Sequence, residues 1–276
     1  MRLGCTPKPP RRTPRSRSTR PSLSCINLCR SRQTNCTVPL LKPPRYGLPQ
    51  CGGFVGYKTT SAAANKFVAL GVQFKEVGSA NSGISIQKLF TLDKYYGGTK
   101  VLNTVDQIHR WTGMAWSKYY YNTTLSAWVK DGETDPSEDI VSGGETVFFR
   151  RASKGAGTLN LSGEVDVQAP SASIEVSANK FAFIAYPWPV SFPVTGFVEA
   201  CSKPWSGTKL LNTVDQVHRW TGMAWSKYYY NSTLGGYVKD GENELTKDEL
   251  EPGEGVFFRR SSKGACTLTF TKPAGL

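Results

Sequence analysis

Beyond residue 51, apolar and aromatic positions come in short runs broken every eight to twelve residues by Gly, Asn, Asp or Pro. That spacing predicts an all-β sandwich or barrel. The candidate strands are "GFVGYKTT", "KFVALGVQF", "KVLNTVDQIHRW", "AWSKYYYN", "LSAWVKD", "ETVFFRRA" and "GTLNLSGEV". "GISIQKLFTLDKYYG" is the best candidate for a helical turn, on a period too short to predict more. "QIHRW" and "AWSKYYYN" flank the three-residue, glycine-containing "TGM", which is a hairpin signal, and Gly113 can take the left-handed conformation such a loop needs. "VKDGE" ends the next strand on an Asp-Gly turn.

The pattern then repeats. "LNTVDQIHRWTGMAWSKYYYN" from Leu102 returns as "LNTVDQVHRWTGMAWSKYYYN" from Leu211, 109 positions on, with Ile108 replaced by Val217. The register holds through "VFFRRASKGAGTL" against "VFFRRSSKGACTL". A unit this long can close its own core, whereas solenoid repeats run to a few tens of residues and lean on their neighbours. Upstream, Asn65-Lys66-Phe67 is answered by Asn179-Lys180-Phe181 at a spacing of 114, so an insertion lies between Phe67 and Val101. The expected organisation is a tail over residues 1–50, a first β-repeat domain over 51–165 and a second over 166–276. Between the copies, "SANSGISIQKLFTLDKYYGG" and "SFPVTGFVEACSKPWS" have diverged almost completely. The unchanged hairpin is therefore expected at the packed centre of each copy, and the diverged stretch on the surface.

The frame "GFVGYKTT…ANKFVALGVQF…DQIHRWTGMAWSKYYYN…GGETVFFRRASKGAGTLNLSGEV" resembles uncharacterised secreted bacterial proteins built of tandem β-rich repeats of about 110 residues. The resemblance covers roughly residues 52–276. It implies a secreted setting and brings no activity with it.

The net charge of +13 invites a nucleic-acid reading, but eleven Lys/Arg and no Asp/Glu fall within residues 1–50, leaving +2 for the rest. That tail, rich in Pro, Arg and Ser, has too little apolar surface to fold and is expected to be disordered. It reads as a basic arm for nucleic acid or a membrane surface, or as a leader, a transit-like segment or a misread gene start. No apolar run in it reaches the length of a secretory signal core. The longest uncharged stretch, from Phe181, is interrupted by Pro187, Pro189 and Pro193, so no membrane span is expected. "KDEL" at Lys247–Leu250 is internal and cannot serve as a C-terminal address. Five of the seven cysteines lie in or beside the tail, and nothing completes Cys25-x-x-x-Cys29 as a metal site.

Searching for a nucleophile with its base, paired acids or a phosphate loop turns up none, so neither an enzyme nor a cofactor is expected. His109 and His218 sit mid-strand among aromatics and read as packed residues. The acidic turns Asp131–Asp139 and Asp240–Glu251 lack calcium-loop spacing and read as solvated. Consecutive tyrosines cannot all face one core. The rings of Trp116, Tyr119, Tyr121, Trp128, Trp225, Tyr228, Tyr230 and Tyr237 are therefore candidates to stack on a glycan or cell-surface polymer. The competing reading packs them into the cores or between the repeats. Cys201 and Cys266, each present in one copy only, are a candidate disulfide. The expectation is a non-enzymatic extracellular or cell-surface structural or adhesive module. Its alternatives are carbohydrate binding through the aromatics and nucleic-acid binding through residues 1–50.

Overall fold

The computed structural model describes residues 54–79 and 82–276, so the basic tail, its cysteines and everything expected of residues 1–50 lie outside the described residues. The described chain is almost entirely β. In the first copy the strands are β1 (Phe54–Ala62), β2 (Phe67–Gly71), β3 (Gly83–Ser85), β4 (Thr91–Leu92), β5 (Gln107–Trp111), β6 (Trp116–Asn122), β7 (Ala127–Lys130), β8 (Ile140–Ser142), β9 (Thr146–Arg150) and β10 (Gly157–Val165). In the second they are β11 (Ser171–Val176), β12 (Phe181–Ala185), β13 (Phe192–Pro193), β14 (Gln216–Trp220), β15 (Trp225–Asn231), β16 (Gly236–Lys239), β17 (Glu249–Leu250), β18 (Gly255–Arg259) and β19 (Cys266–Thr271), with one short helix, α1 (Phe197–Ala200), after β13.

Each copy builds the same antiparallel five-stranded sheet, in the order β2-β9-β5-β6-β7 in the first and β12-β18-β14-β15-β16 in the second. A smaller sheet faces each across a core: β1-β10-β4 in the first copy and β11-β19 in the second. Along β10, every second residue from Gly157 is buried, as a strand with one face on a core requires. In β9 the first four residues are all buried, so the five-stranded sheet is covered on both faces. The described residues make one compact unit. The hairpin turns take positive φ at Gly113 (88°) and Gly222 (90°), where a Cβ would be strained.

The hairpin β5–β6 sits mid-sheet, with β5 the central strand. The diverged stretch, expected on the surface, is instead core. Ile84, Ile86, Leu89, Phe90 and Leu92 are buried in the first copy, and Val194, Phe197, Ala200 and Cys201 in the second. The helical-turn candidate supplies a 3-10 turn, Ile86–Lys88, between β3 and β4. This stretch covers an open part of the core, a task that apolar side chains on almost any backbone can fill. No helix among the described residues is long and apolar enough to cross a membrane, which says nothing of a β-barrel.

Candidate functional site

The two five-stranded sheets meet face to face. Strand alternation sends Ile108 and Tyr119 into the first core and His109, Trp111, Trp116 and Phe148 out of the opposite face. There they join Phe181, Phe183, Trp220, Trp225 and Phe257 of the second copy in one aromatic cluster. The contacts are reciprocal. Trp111 Nε1 donates to the Phe181 carbonyl at 2.9 Å, and Trp220 Nε1 to the equivalent Phe67 carbonyl at 3.4 Å. Gly71 N donates to Gly253 O and Ala185 N to the equivalent Gly144 O, each at 2.9 Å. Reciprocity of this kind is the mark of an isologous, two-fold interface, here between two halves of one chain.

Where equivalent residues meet at the centre of that seam, the copies have parted company. Gly71 faces Ala185, and Gly255 faces Thr146; a Cβ on either glycine would run into its counterpart's side chain. Each pair holds one small and one larger residue, which two identical copies could not do.

Two clefts of about 270 and 250 Å³ lie along the seam and are related by the same two-fold. One is lined by Trp111, Trp116, Phe181, His218, Trp225 and Phe257, the other by Phe67, His109, Trp116, Phe148, Trp220 and Trp225. Gln107 Nε2 donates to Leu102 O at 2.6 Å, which turns its Oε1 to His109 Nε2 at 2.9 Å. The neutral imidazole therefore carries its proton on Nε2 and keeps a lone pair on Nδ1. Gln216, Leu211 and His218 repeat the arrangement. Burial first, then the neighbouring lysine and arginine (Lys118 and Arg150; Lys227 and Arg259), lower each histidine from 6.5 to about 4. Near neutral pH both are uncharged packing groups with little capacity as general bases. A larger groove, about 530 Å³, opens where the β5–β6 tip of the first copy passes β11 and β12 of the second; Trp111 and Phe181 share it with Glu145, Glu175, Lys180 and Ser173.

Each core also holds a buried ion pair that strand patterning did not single out. Arg151 Nη1 lies 2.9 Å from Asp106 Oδ2 and Arg260 Nη1 2.6 Å from Asp215 Oδ2, with all four side chains inaccessible. The carboxylates also accept backbone N–H groups, from Tyr96 and Ala152 in the first copy and from Trp205 and Ser261 in the second. The guanidinium groups donate to the carbonyls of Gly155 and Gly264. Burial still pushes both carboxyls up, against those donors. The signal was present in the unchanged "TVDQ" and "VFFRR", which hold charges inside otherwise apolar blocks.

Of the eight rings expected to meet a ligand, Tyr119, Trp128, Tyr228 and Tyr237 are buried in the two cores and offer no face to one. Tyr119 and Tyr228 donate their hydroxyls to Asp139 and Asp248 at 2.6 and 2.5 Å. Tyr121 and Tyr230 are half-buried at the core edges, Tyr121 stacked on Tyr95 with centroids 4.2 Å apart. Of the eight, Trp116 and Trp225 line the seam clefts, together with Trp111 and Trp220, which are not among them. Alternation does turn some rings outward; what it could not reveal is that the outward face is covered by the other repeat. Cys201 and Cys266 are brought together as buried free thiols, without the bridge expected between them. Among the described residues no three His, Cys, Asp or Glu side chains gather to hold a metal ion. No family model, curated protein or solved structure matches the chain.

Proposed function

We propose that the chain is a non-enzymatic structural or adhesive module that works outside the cell or at its surface, with its two repeats locked into one body. The reciprocal aromatic seam carries this reading: the largest side chains of the outward sheet faces are used to hold repeat to repeat. The buried charges serve structural pairs in the same spirit, Arg151 with Asp106 and Arg260 with Asp215. Denaturant unfolding followed separately by tryptophan fluorescence and far-ultraviolet circular dichroism tests it. Coincident single transitions fit a locked body, and two well-separated transitions would refute it.

Carbohydrate binding is the second reading, and the groove beside Trp111 favours it. An indole and a phenyl ring there adjoin carboxylates, an amine and hydroxyls, the mixture a sugar ring needs for stacking and hydrogen bonding. Saturable quenching of tryptophan emission by soluble polysaccharide, lost in Lys180→Ala and Glu175→Ala together, is the expected result. Quenching that the double variant leaves unchanged would sink the idea.

A further inference from the structure

The second copy departs from the first at two neighbouring core positions, and both departures are cysteines. Cys201 stands where the first copy has Leu92: Leu92 pairs with Leu159 as Cys201 pairs with Leu268, the residue equivalent to Leu159. Cys266 stands where the first copy has Gly157. In the first copy a Cβ at Gly157 would lie 2.6 Å from the Arg151 guanidinium. In the second copy the side chain is accommodated, and Arg260 Nη1 lies 3.4 Å from Cys201 Sγ while keeping its bond to Asp215. The Cys266 thiol donates to the Cys201 sulfur. The Tyr237 hydroxyl, buried and without a hydrogen-bond partner, is near enough to feel the charge of Asp215 and of both sulfurs.

We propose that Cys201 and Cys266 form a reactive dithiol that exchanges with small disulfides of the glutathione kind and closes to an intramolecular disulfide beside the Arg260–Asp215 ion pair. Three features support it besides proximity. The first is access: both cysteines are buried, but Cys266 lines an open cleft of about 280 Å³ with Ser177, Ser202, Lys203 and Thr267. The second is an asymmetric proton. The Cys266 hydrogen bond, aided by Arg260, holds the Cys201 thiol below its usual range, and the same hydrogen bond and burial push Cys266 up. One proton shared between two sulfurs is the arrangement thiol exchange uses.

The third feature is a yielding edge. The first copy holds this position with two ladder pairs, Leu92 to Leu159 and Thr91 to Asn160. The second has a single bridge at Cys201; beyond it, Ser202 N to Thr267 O at 3.2 Å and Thr267 N to Ser202 Oγ at 3.4 Å match Asp93 N to Thr158 O at 3.4 Å and Thr158 N to Asp93 Oδ1 at 3.3 Å in the first copy, so the lost ladder pair is what sets the two edges apart. Cys266 is two positions along β19 from Leu268, which makes the cysteines diagonal neighbours. Diagonal Cα atoms are typically about 7–8 Å apart, beyond the usual disulfide span of about 4.4–6.8 Å. The loose edge lets Cys201 close that distance, and a bond made under such displacement is readily reduced.

The exchange balances as follows. The Cys201 thiolate attacks one sulfur of glutathione disulfide, and the expelled glutathione thiolate takes the proton of Cys266. The Cys266 thiolate then attacks the Cys201 sulfur of the mixed disulfide and expels the second glutathione thiolate. Two protein sulfurs are oxidised, and one glutathione disulfide is reduced to two glutathiones.

The test uses the full chain, reduced and then exposed to glutathione disulfide at graded ratios. Differential alkylation and peptide mapping separate these two cysteines from the five near the N-terminus. The wild type is expected to lose both thiols together into a Cys201–Cys266 cross-link that excess reduced glutathione reopens. Cys201→Leu, which restores the residue of the first copy, is expected to leave Cys266 unmodified. Cys266→Gly is expected to stop at a Cys201–glutathione adduct. Wild-type thiols that stay fully alkylatable, a stable Cys201 adduct with no cross-link, or linkage of either cysteine only to the N-terminal ones would each overturn the proposal. The wild-type map decides it whether or not the variants fold.

Discussion

The hairpin β5–β6 and the stretch carrying β3 and β4 belong to the same repeat, and both give their apolar side chains to its core. Between the copies, however, the hairpin changes at one residue and the other stretch at nearly all. The difference lies in how many neighbours each must satisfy. Ile108 and Tyr119 face the core while Trp111 and Trp116, on the other side of the same ribbon, face the second repeat. A change there has to suit two packed surfaces. Leu89 and Phe90 answer to one core only, and Val194 and Phe197 fill the corresponding space with other shapes. Volume and apolarity suffice for such a stretch, and many sequences supply them.

The buried ion pairs offer the largest test of how alike the copies are. Asp106→Ala leaves Arg151 charged and unpaired in the first core, and the expected loss in urea unfolding is about 3–5 kcal/mol. Asp215→Ala is expected to lose less, because the Cys201 sulfur 3.4 Å from Arg260 Nη1 can take up the countercharge, whereas Arg151 Nη1 keeps only the neutral Lys94 carbonyl, at 2.8 Å. Equal losses would remove that distinction.

The histidines are where the copies agree, and acid should therefore affect both halves alike. With a folded value near 4 against 6.5 in the free side chain, the unfolded chain binds protons first as pH falls. This contribution is present above pH 6.5 and is lost as pH falls through about 4, with a ceiling of about 3 kcal/mol for each histidine. His109→Gln and His218→Gln are each expected to remove a similar share of the loss between pH 7 and 4. Unequal shares would show that the two clefts differ in solution.

The meeting of Thr146 with Gly255 allows a subtler break. Gly255→Thr sets two threonines against each other, at about 1–3 kcal/mol, and Thr146→Gly leaves a void. Exchanging the two residues keeps the composition and reverses the order. The double variant is expected within about 0.5 kcal/mol of wild type, a non-additivity that separate structural effects would not give. The smallest effect is expected from the indole bonds. Trp111→Phe removes a 2.9 Å bond and Trp220→Phe one of 3.4 Å, so about 1 kcal/mol and less than that, respectively, are expected.

What the chain disclosed as sequence follows the same division. Alternation in "GTLNLSGEV" and the turn glycines led directly to strands and hairpins, because those signals are local. The all-β class and the equivalence of the two copies were legible for the same reason. The seam was not. Nothing in "AWSKYYYN" states whether the outward face meets water or a second sheet, and four of the eight rings proposed for a ligand proved to be core. Asp106 and Arg151 lie 45 residues apart, so their pairing depends on the topology. The sequence difference at Cys201 and Cys266 pointed to a shared location, which the bridge between Cys201 and Leu268 supplies.

The short passage from β10 to β11 has a consequence for dilution. β10 ends at Val165 and β11 begins at Ser171, so five residues join the repeats and span at most about 18 Å. A face tethered within that reach meets its partner at an effective concentration in the millimolar range or above, whatever the amount of protein in solution. The seam thus has no need of the affinity that two free subunits would require to stay paired when scarce. Its halves were released from matching themselves, which is the freedom that a glycine opposite an alanine, and another opposite a threonine, put to use.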